Sequence, residues 1–159
     1  GGDVQLGKST VSVVGSNVGI EETNPAYRLQ VNGDIYATGE ITSLSDARVK
    51  KDLRRLRDAL ARVGKLRGYM YKRSDGDPSF ESEHIHHTDD HIGFIAQELL
   101  DSVPEVVSYN KLTDRYSVNY GNLTALLAEA VNDLNMDNQK LHSVITSIDR
   151  RVQKLEEMQ

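Results

Sequence analysis

The chain has no cysteine and no tryptophan, and only two phenylalanines and three prolines among its 159 residues. Without cysteine there is no disulfide framework, no thiolate metal site and no cysteine nucleophile, and the redox compartment stays open. No run approaches the roughly 18 apolar residues that a membrane-spanning helix needs, and no signal peptide opens the chain. Positive charge is in deficit, with 19 Lys and Arg against 24 Asp and Glu. The resulting net charge of −5 argues against general nucleic-acid affinity. Apolar content of 38%, poor in large rings, leaves a thin core or an elongated molecule that buries surface between subunits.

What is present divides into three parts, read as 1–44, 45–120 and 121–159. The first is rich in short strand patterns. Val11–Val14 is a largely β-branched run, and Val18-Gly19-Ile20 reads as a second short strand. Tyr27–Val31 and Asp34–Thr38 flank Asn32-Gly33, a pair that tolerates positive φ and signals a hairpin turn. Strands this short and thinly apolar bury little by themselves. They are expected to be pooled between several chains, as the β-stranded end of a stalk.

From Asp46 the pattern changes to a small α+β unit. Leu53, Leu56, Leu60 and Val63 recur at helical spacing and predict one amphipathic helix. Nine basic residues fall between Arg48 and Arg67. No interleaved aromatics or glycine-rich phosphate loop accompany them, so they read as a solvated helix face and not as a nucleic-acid surface. Arg67–Lys72 alternates as a strand. Residues 74–90 form a polar, acidic surface loop. His84, His86 and His87 lie there, with His91 just after it, beside Glu81, Glu83, Asp89 and Asp90, residue types that can hold zinc or nickel. A loop seldom supplies the supporting second layer that such a site needs, so no metal and no cofactor is assigned. Ile92–Ala96 predicts a buried strand, and Gln97–Val103 a short helix stopped by Pro104. Glu105–Tyr109 and Tyr116–Tyr120 form a strand pair around the turn Asn110–Arg115.

The last part carries the clearest period. Val131, Asn138, Ile145 and Val152 occupy heptad position a, and Leu127, Leu134, Leu141, Ile148 and Leu155 occupy d. An unbroken 3.5-residue stripe predicts a left-handed coiled coil whose partner helices run its whole length. Asn138 at an a position fixes register and orientation at some cost in stability. In a parallel assembly Arg151 at g faces Glu156 at the next e, and Asp137 faces His142. Ala128, Ala130 and Val144 widen the stripe and favour three strands over two. Arg151-Val152-Gln153-Lys154-Leu155-Glu156 also resembles a known trimerising signature. The architecture expected is therefore a short β-stranded stalk end, a small α+β domain and a long helix in a parallel homotrimer.

Between the first two parts stands Ser45-Asp46-Ala47-Arg48-Val49-Lys50. A serine hydroxyl becomes a nucleophile when a base removes its proton, and a lysine amine can do so only when neutral. Arg48, Lys51 and Arg54 supply the cationic neighbours that favour the neutral form. Ring size selects the bond. Attack of the Ser45 hydroxyl on the carbonyl of Leu44 closes a five-membered ring, whereas attack on its own carbonyl would need four members. The expected scission is thus Leu44–Ser45, through an ester that water hydrolyses, with Lys50 as general base and later proton donor. Asp46 orients either Lys50 or the local turn. The competing reading is a plain helix start, Ser45 as N-cap with Asp46 in the first turn.

Ser45-Asp46-x-Arg48-x-Lys50 resembles the motif that opens the C-terminal intramolecular chaperone of endosialidase tailspikes and related phage fibres, a self-cleaving domain that also occurs in myelin regulatory factor. Further blocks match in order: Ala59-Leu60 through Leu66-Arg67-Gly68, Gly93-Phe94-Ile95-Ala96-Gln97-Glu98, Val103-Pro104-Glu105-Val106-Val107, and Tyr116–Leu127. Val18-Gly19-Ile20 and Leu29–Gly39 resemble the stalk ends that precede this domain. The resemblance implies that Ser45 and Lys50 are a self-cleaving dyad, supported by Asp46 and Arg48, acting once and not in trans. It implies a homotrimer that aligns three upstream chains, assists their folding and releases itself. No small-molecule substrate, nucleic acid or membrane is implied, and a viral fibre would assemble in the host cytoplasm. Two other classes stay open: a trimerisation foot that never cuts, and the release domain of a membrane-tethered transcription factor of the myelin type. A glycan- or receptor-binding tip is a further reading, carried only by the His-rich loop.

Overall fold

The structure is a computed structural model that describes residues 11–73 and 90–158. It is α+β, with three small sheets and one long C-terminal helix. The chain divides into two compact units, Gly1–Leu53 with Asn110–Thr113, and Arg54–Tyr109 with Asp114–Gln159.

In the first unit, β1 (Val11–Val14) pairs antiparallel with β2 (Asn17–Ile20), Val14 opposite Asn17. Gly15, at φ 61°, turns the chain between them, a conformation that costs glycine little. Gly19 is required for a different reason, since a Cβ there would lie 2.0 Å from the Glu22 carbonyl oxygen. The third strand, β3 (Leu29–Val31), runs parallel to β2, with Val18 N donating to Arg28 O at 2.9 Å. The hairpin expected around Asn32-Gly33 does not form. A two-residue loop can only return the chain antiparallel to β3, whereas β3 is paired with β2, and no strand follows between 34 and 38. Ile35, Tyr36, Ile41 and Leu44 are all exposed along this unpaired stretch.

The second unit is built on contact between two helices. Helix α1 is only Ala59–Val63, five residues, and not the amphipathic helix that the spacing of Leu53 and Leu56 predicts. Asp58 adopts left-handed geometry at φ 54°, which breaks the helix at that point. Asp58 gives α1 no side-chain cap. Asp133 from the long helix α3 (Tyr120–Glu156) supplies one instead, accepting from Leu60 N at 3.2 Å.

The core joins Ala59 to Leu99, Val103, Val106, Leu123, Leu126 and Ala130, with Leu60, Val63, Leu66, Phe94, Val107 and Val118 packed around it. Helix α2 (Ala96–Leu99) delivers Leu99, and a turn leads from it to Pro104, where the backbone tightens into a 3-10 turn. Strands β4 (Tyr69–Tyr71) and β5 (His91–Gly93) pair antiparallel. The run read as a buried strand from Ile92 is only half so: Gly93 is buried, but Ile92 is 80% exposed. Among the described residues β5 has β4 as its one neighbour, so alternate side chains face outward. A Cβ on Gly93 would lie 2.5 Å from the Tyr120 hydroxyl, which accepts from Phe94 N at 3.0 Å. The strand pair expected around Asn110–Arg115 is present as β6 (Val107–Asn110) and β7 (Arg115–Val118). Tyr109 and Tyr116 touch across it at 4.8 Å between ring centres.

Helix α3 uses two different faces. Leu123, Leu126 and Ala130 are buried against the rest of the unit. Ala130 therefore does not widen the heptad stripe, because the α1 contact already covers it. The apolar a and d residues (Leu127, Val131, Leu134, Leu141, Ile145, Ile148, Val152 and Leu155) lie roughly a quarter turn round the helix and are 45–63% exposed. Asn138 is exposed in the same stripe.

Candidate functional site

Ser45 and Lys50 lie in the first unit, at the end of the unpaired stretch. The chain between them closes a single 3-10 turn over Ala47–Val49, with Val49 N donating to Asp46 O at 3.2 Å and Lys50 N to Ala47 O at 3.1 Å. This turn folds Lys50 back, and its Nζ donates to Ser45 Oγ at 2.8 Å. Both side chains are exposed, and Leu44, just before the serine, is 81% exposed.

The turn is capped by Asp46 and not by Ser45. Asp46 Oδ1 accepts from Arg48 N at 2.8 Å and from Arg48 Nε at 3.0 Å, and Oδ2 accepts from the same guanidinium at 2.6 Å. That side-chain contact, followed by the backbone one, holds the Asp46 carboxyl below its ordinary value. Arg48 moves the opposite way, its proton held by Asp46. Of the two roles open to Asp46, the geometry serves the turn: both carboxylate oxygens are on Arg48. Ser45 Oγ is thereby left to Lys50. Sequence spacing gave no sign of this clamp, although Asp at i and Arg at i+2 around a tight turn is its local signature.

Chemically the pair can exchange a proton in either direction, according to the charge on the amine. As placed, the amine donates to the hydroxyl. For catalysis the polarity reverses, with a neutral amine accepting the hydroxyl proton. The heptad-stripe residues Leu127, Val131, Leu134, Asn138, Leu141, Ile145, Ile148, Val152 and Leu155 stand elsewhere, on α3 in the second unit. The metal-type side chains His84, His86, His87, Glu81, Glu83 and Asp89 lie outside the described residues. His91 stacks on Tyr71 at 5.6 Å. Among the described residues no group of three or more His, Asp or Glu could hold a metal ion. No described helix is long and apolar enough to cross a membrane.

Residues 45–108 match the family model described as chaperone of endosialidase, whose short name is that of a peptidase family. The match begins at Ser45. The similarity to the chaperone-of-endosialidase family is carried by residues 45–108. The long tail fibre protein Gp37 of Enterobacteria phage T2 is 28% identical over 159 aligned residues, covering 87% of this chain and 11% of that protein. The corresponding protein of phage K3 is 32% identical over 74% of this chain and 10% of its own length. Myelin gene regulatory factor-like A of Dictyostelium discoideum is 33% identical over 60% of this chain and 10% of its own length. The chain thus spans about a tenth of these relatives. The chaperone-family segment opens on the serine of the Ser45–Lys50 contact and closes within β6.

Proposed function

We propose that residues 45–159 are a trimerising intramolecular chaperone that assists the folding of an upstream β-rich fibre and then releases itself by cutting Leu44–Ser45. The observation that carries this reading is the 2.8 Å contact of Lys50 Nζ with Ser45 Oγ, at the residue where the family match begins. Lys50, once neutral, takes the Ser45 Oγ proton as Oγ bonds to the Leu44 carbonyl carbon. The C–N bond then breaks, and the proton passes to the nitrogen of Ser45, now a free amine. Water hydrolyses the resulting ester, leaving a Leu44 carboxylate and regenerating the hydroxyl. Desolvation favours a neutral amine, so covering this exposed corner in the assembly is the step that licenses the reaction.

The exposed stripe on α3 supports the homotrimer. Eight half-exposed apolar side chains per chain each stand to gain about 1 kcal/mol on burial. That is ample to hold three helices together and so raise the local concentration of three upstream segments. The phage fibre relatives favour a fibre as client, assembled in the host cytoplasm. The slime-mould relative keeps a second reading alive, in which trimerisation and scission free an upstream regulatory part. Intact-mass analysis of wild type beside Ser45→Ala and Lys50→Ala tests the cut. A C-terminal piece beginning at Ser45 is expected from wild type alone. An intact wild-type chain after days would leave a purely structural trimerisation domain.

A further inference from the structure

The second unit holds an open surface concavity of about 840 Å³ lined by Arg54, Arg55, Leu56, Arg57, Arg62 and Glu105, most of them exposed. The basic run lies on no helix before Ala59, but it is solvated as expected: Arg54, Arg55 and Arg57 are all exposed. Left-handed Asp58 ends it short of α1, and Arg54, Arg55 and Arg57 converge with Arg62 from that helix around one space. Arg62 is committed, donating through Nε to Ser102 O at 2.9 Å and pairing with Glu105 at 2.5 Å. Arg55 lies 3.5 Å from Glu129. Arg54 and Arg57 have no ion-pair partner among the described residues. The lining itself carries four guanidinium groups and one carboxylate, with Glu129 beside Arg55, so positive charge is in excess on the lining of a chain whose net charge is −5. Guanidinium stays charged at every working pH, so that excess is permanent.

We propose that this concavity binds a small, multiply charged phosphate-type oxyanion, with Arg54 and Arg57 as its primary contacts. Planar guanidinium forks match tetrahedral oxyanions two bonds at a time. Arginines spread along residues 54–62 of the lining can engage a chain of linked phosphates at more points than a single ion. Glu105 competes with the guest for Arg62, so the site carries its own restraint on affinity. Occupancy draws the segment 54–57 together and fixes a stretch that has no helix or strand of its own.

Titration calorimetry of the full chain with sodium tripolyphosphate at low salt tests this, using Ser45→Ala so that the chain stays whole. The unmodified site is expected to bind. Arg54→Gln with Arg57→Gln should weaken binding about tenfold or more. Arg54→Lys with Arg57→Lys keeps the charge but loses the forks, and should fall between. Glu105→Gln should tighten binding, and Arg150→Gln on the far part of α3 should leave it unchanged. Absence of binding by the unmodified site overturns the proposal. So does an Arg150→Gln loss as large as that of the concavity variants, since net charge alone would then explain the affinity. If the glutamine pair fails to fold, the lysine pair and Glu105→Gln decide the outcome.

Discussion

The first turns of α3 and the remainder of the same helix make opposite use of their apolar residues. Between Leu123 and Asp133 the face that matters closes on α1: Leu123, Leu126 and Ala130 are buried, and Asp133 caps the shorter helix. Beyond it, Leu134, Leu141, Ile145, Ile148, Val152 and Leu155 stay about half exposed. One stretch of sequence therefore holds the unit together, and the next leaves its apolar stripe exposed. A buried contact is complete within one chain and independent of concentration. An exposed heptad stripe is complete only in an assembly, and its contribution grows with concentration.

That contrast can be broken first at the stripe. Ile145→Asp with Ile148→Asp is expected to abolish self-association in sedimentation analysis while leaving the α1–α3 core folded. If the same variant unfolds the core, the two faces are not separable. Leu126→Ala should do the reverse. It should cost about 2–5 kcal/mol in chemical denaturation, as buried leucines do, with the oligomer of the folded fraction unchanged. Gly93→Ala presses a methyl group toward the Tyr120 hydroxyl, at the start of α3. A loss of about 1–3 kcal/mol is expected, the range for overpacking; a neutral result would show that Tyr120 yields freely.

The smallest effect concerns the turn that holds Ser45 and Lys50. The Asp46 carboxyl is held below its ordinary value of 3.8 by Arg48. A depressed folded value means that its contribution is present above 3.8 and is lost as pH falls through the lower folded value. Carboxyl carbon shifts in a Ser45→Ala chain should therefore titrate below the ordinary range, and Arg48→Gln should return the midpoint to it. An unchanged midpoint in Arg48→Gln would remove the clamp from the account.

Much of this was legible in the residues themselves. The period of α3 was readable because it repeats without a break from Leu127 to Leu155. Ser45 and Lys50 were readable because a tight turn is local, and their spacing alone brings the two side chains within reach. What could not be read were pairings set by distant residues. The spacing of Leu53, Leu56, Leu60 and Val63 fits a helix, yet left-handed Asp58 stops it, and the cap for α1 arrives from Asp133, far along the chain. The Asn32-Gly33 signal was a local one, overridden by the parallel pairing of β3 with β2. The basic run was visible as charge, but its convergence on a concavity depends on where α1 begins.

The same helix links the contrast to the chemistry, since the exposed Ser45–Lys50 corner is proposed to react only once three stripes have closed. The most direct test is an intact-mass time course of wild type beside Ile145→Asp with Ile148→Asp. Wild type is expected to accumulate a C-terminal piece beginning at Ser45 while the monomeric variant stays whole. Cleavage of the variant at the wild-type rate would contradict the account, because scission would then owe nothing to assembly.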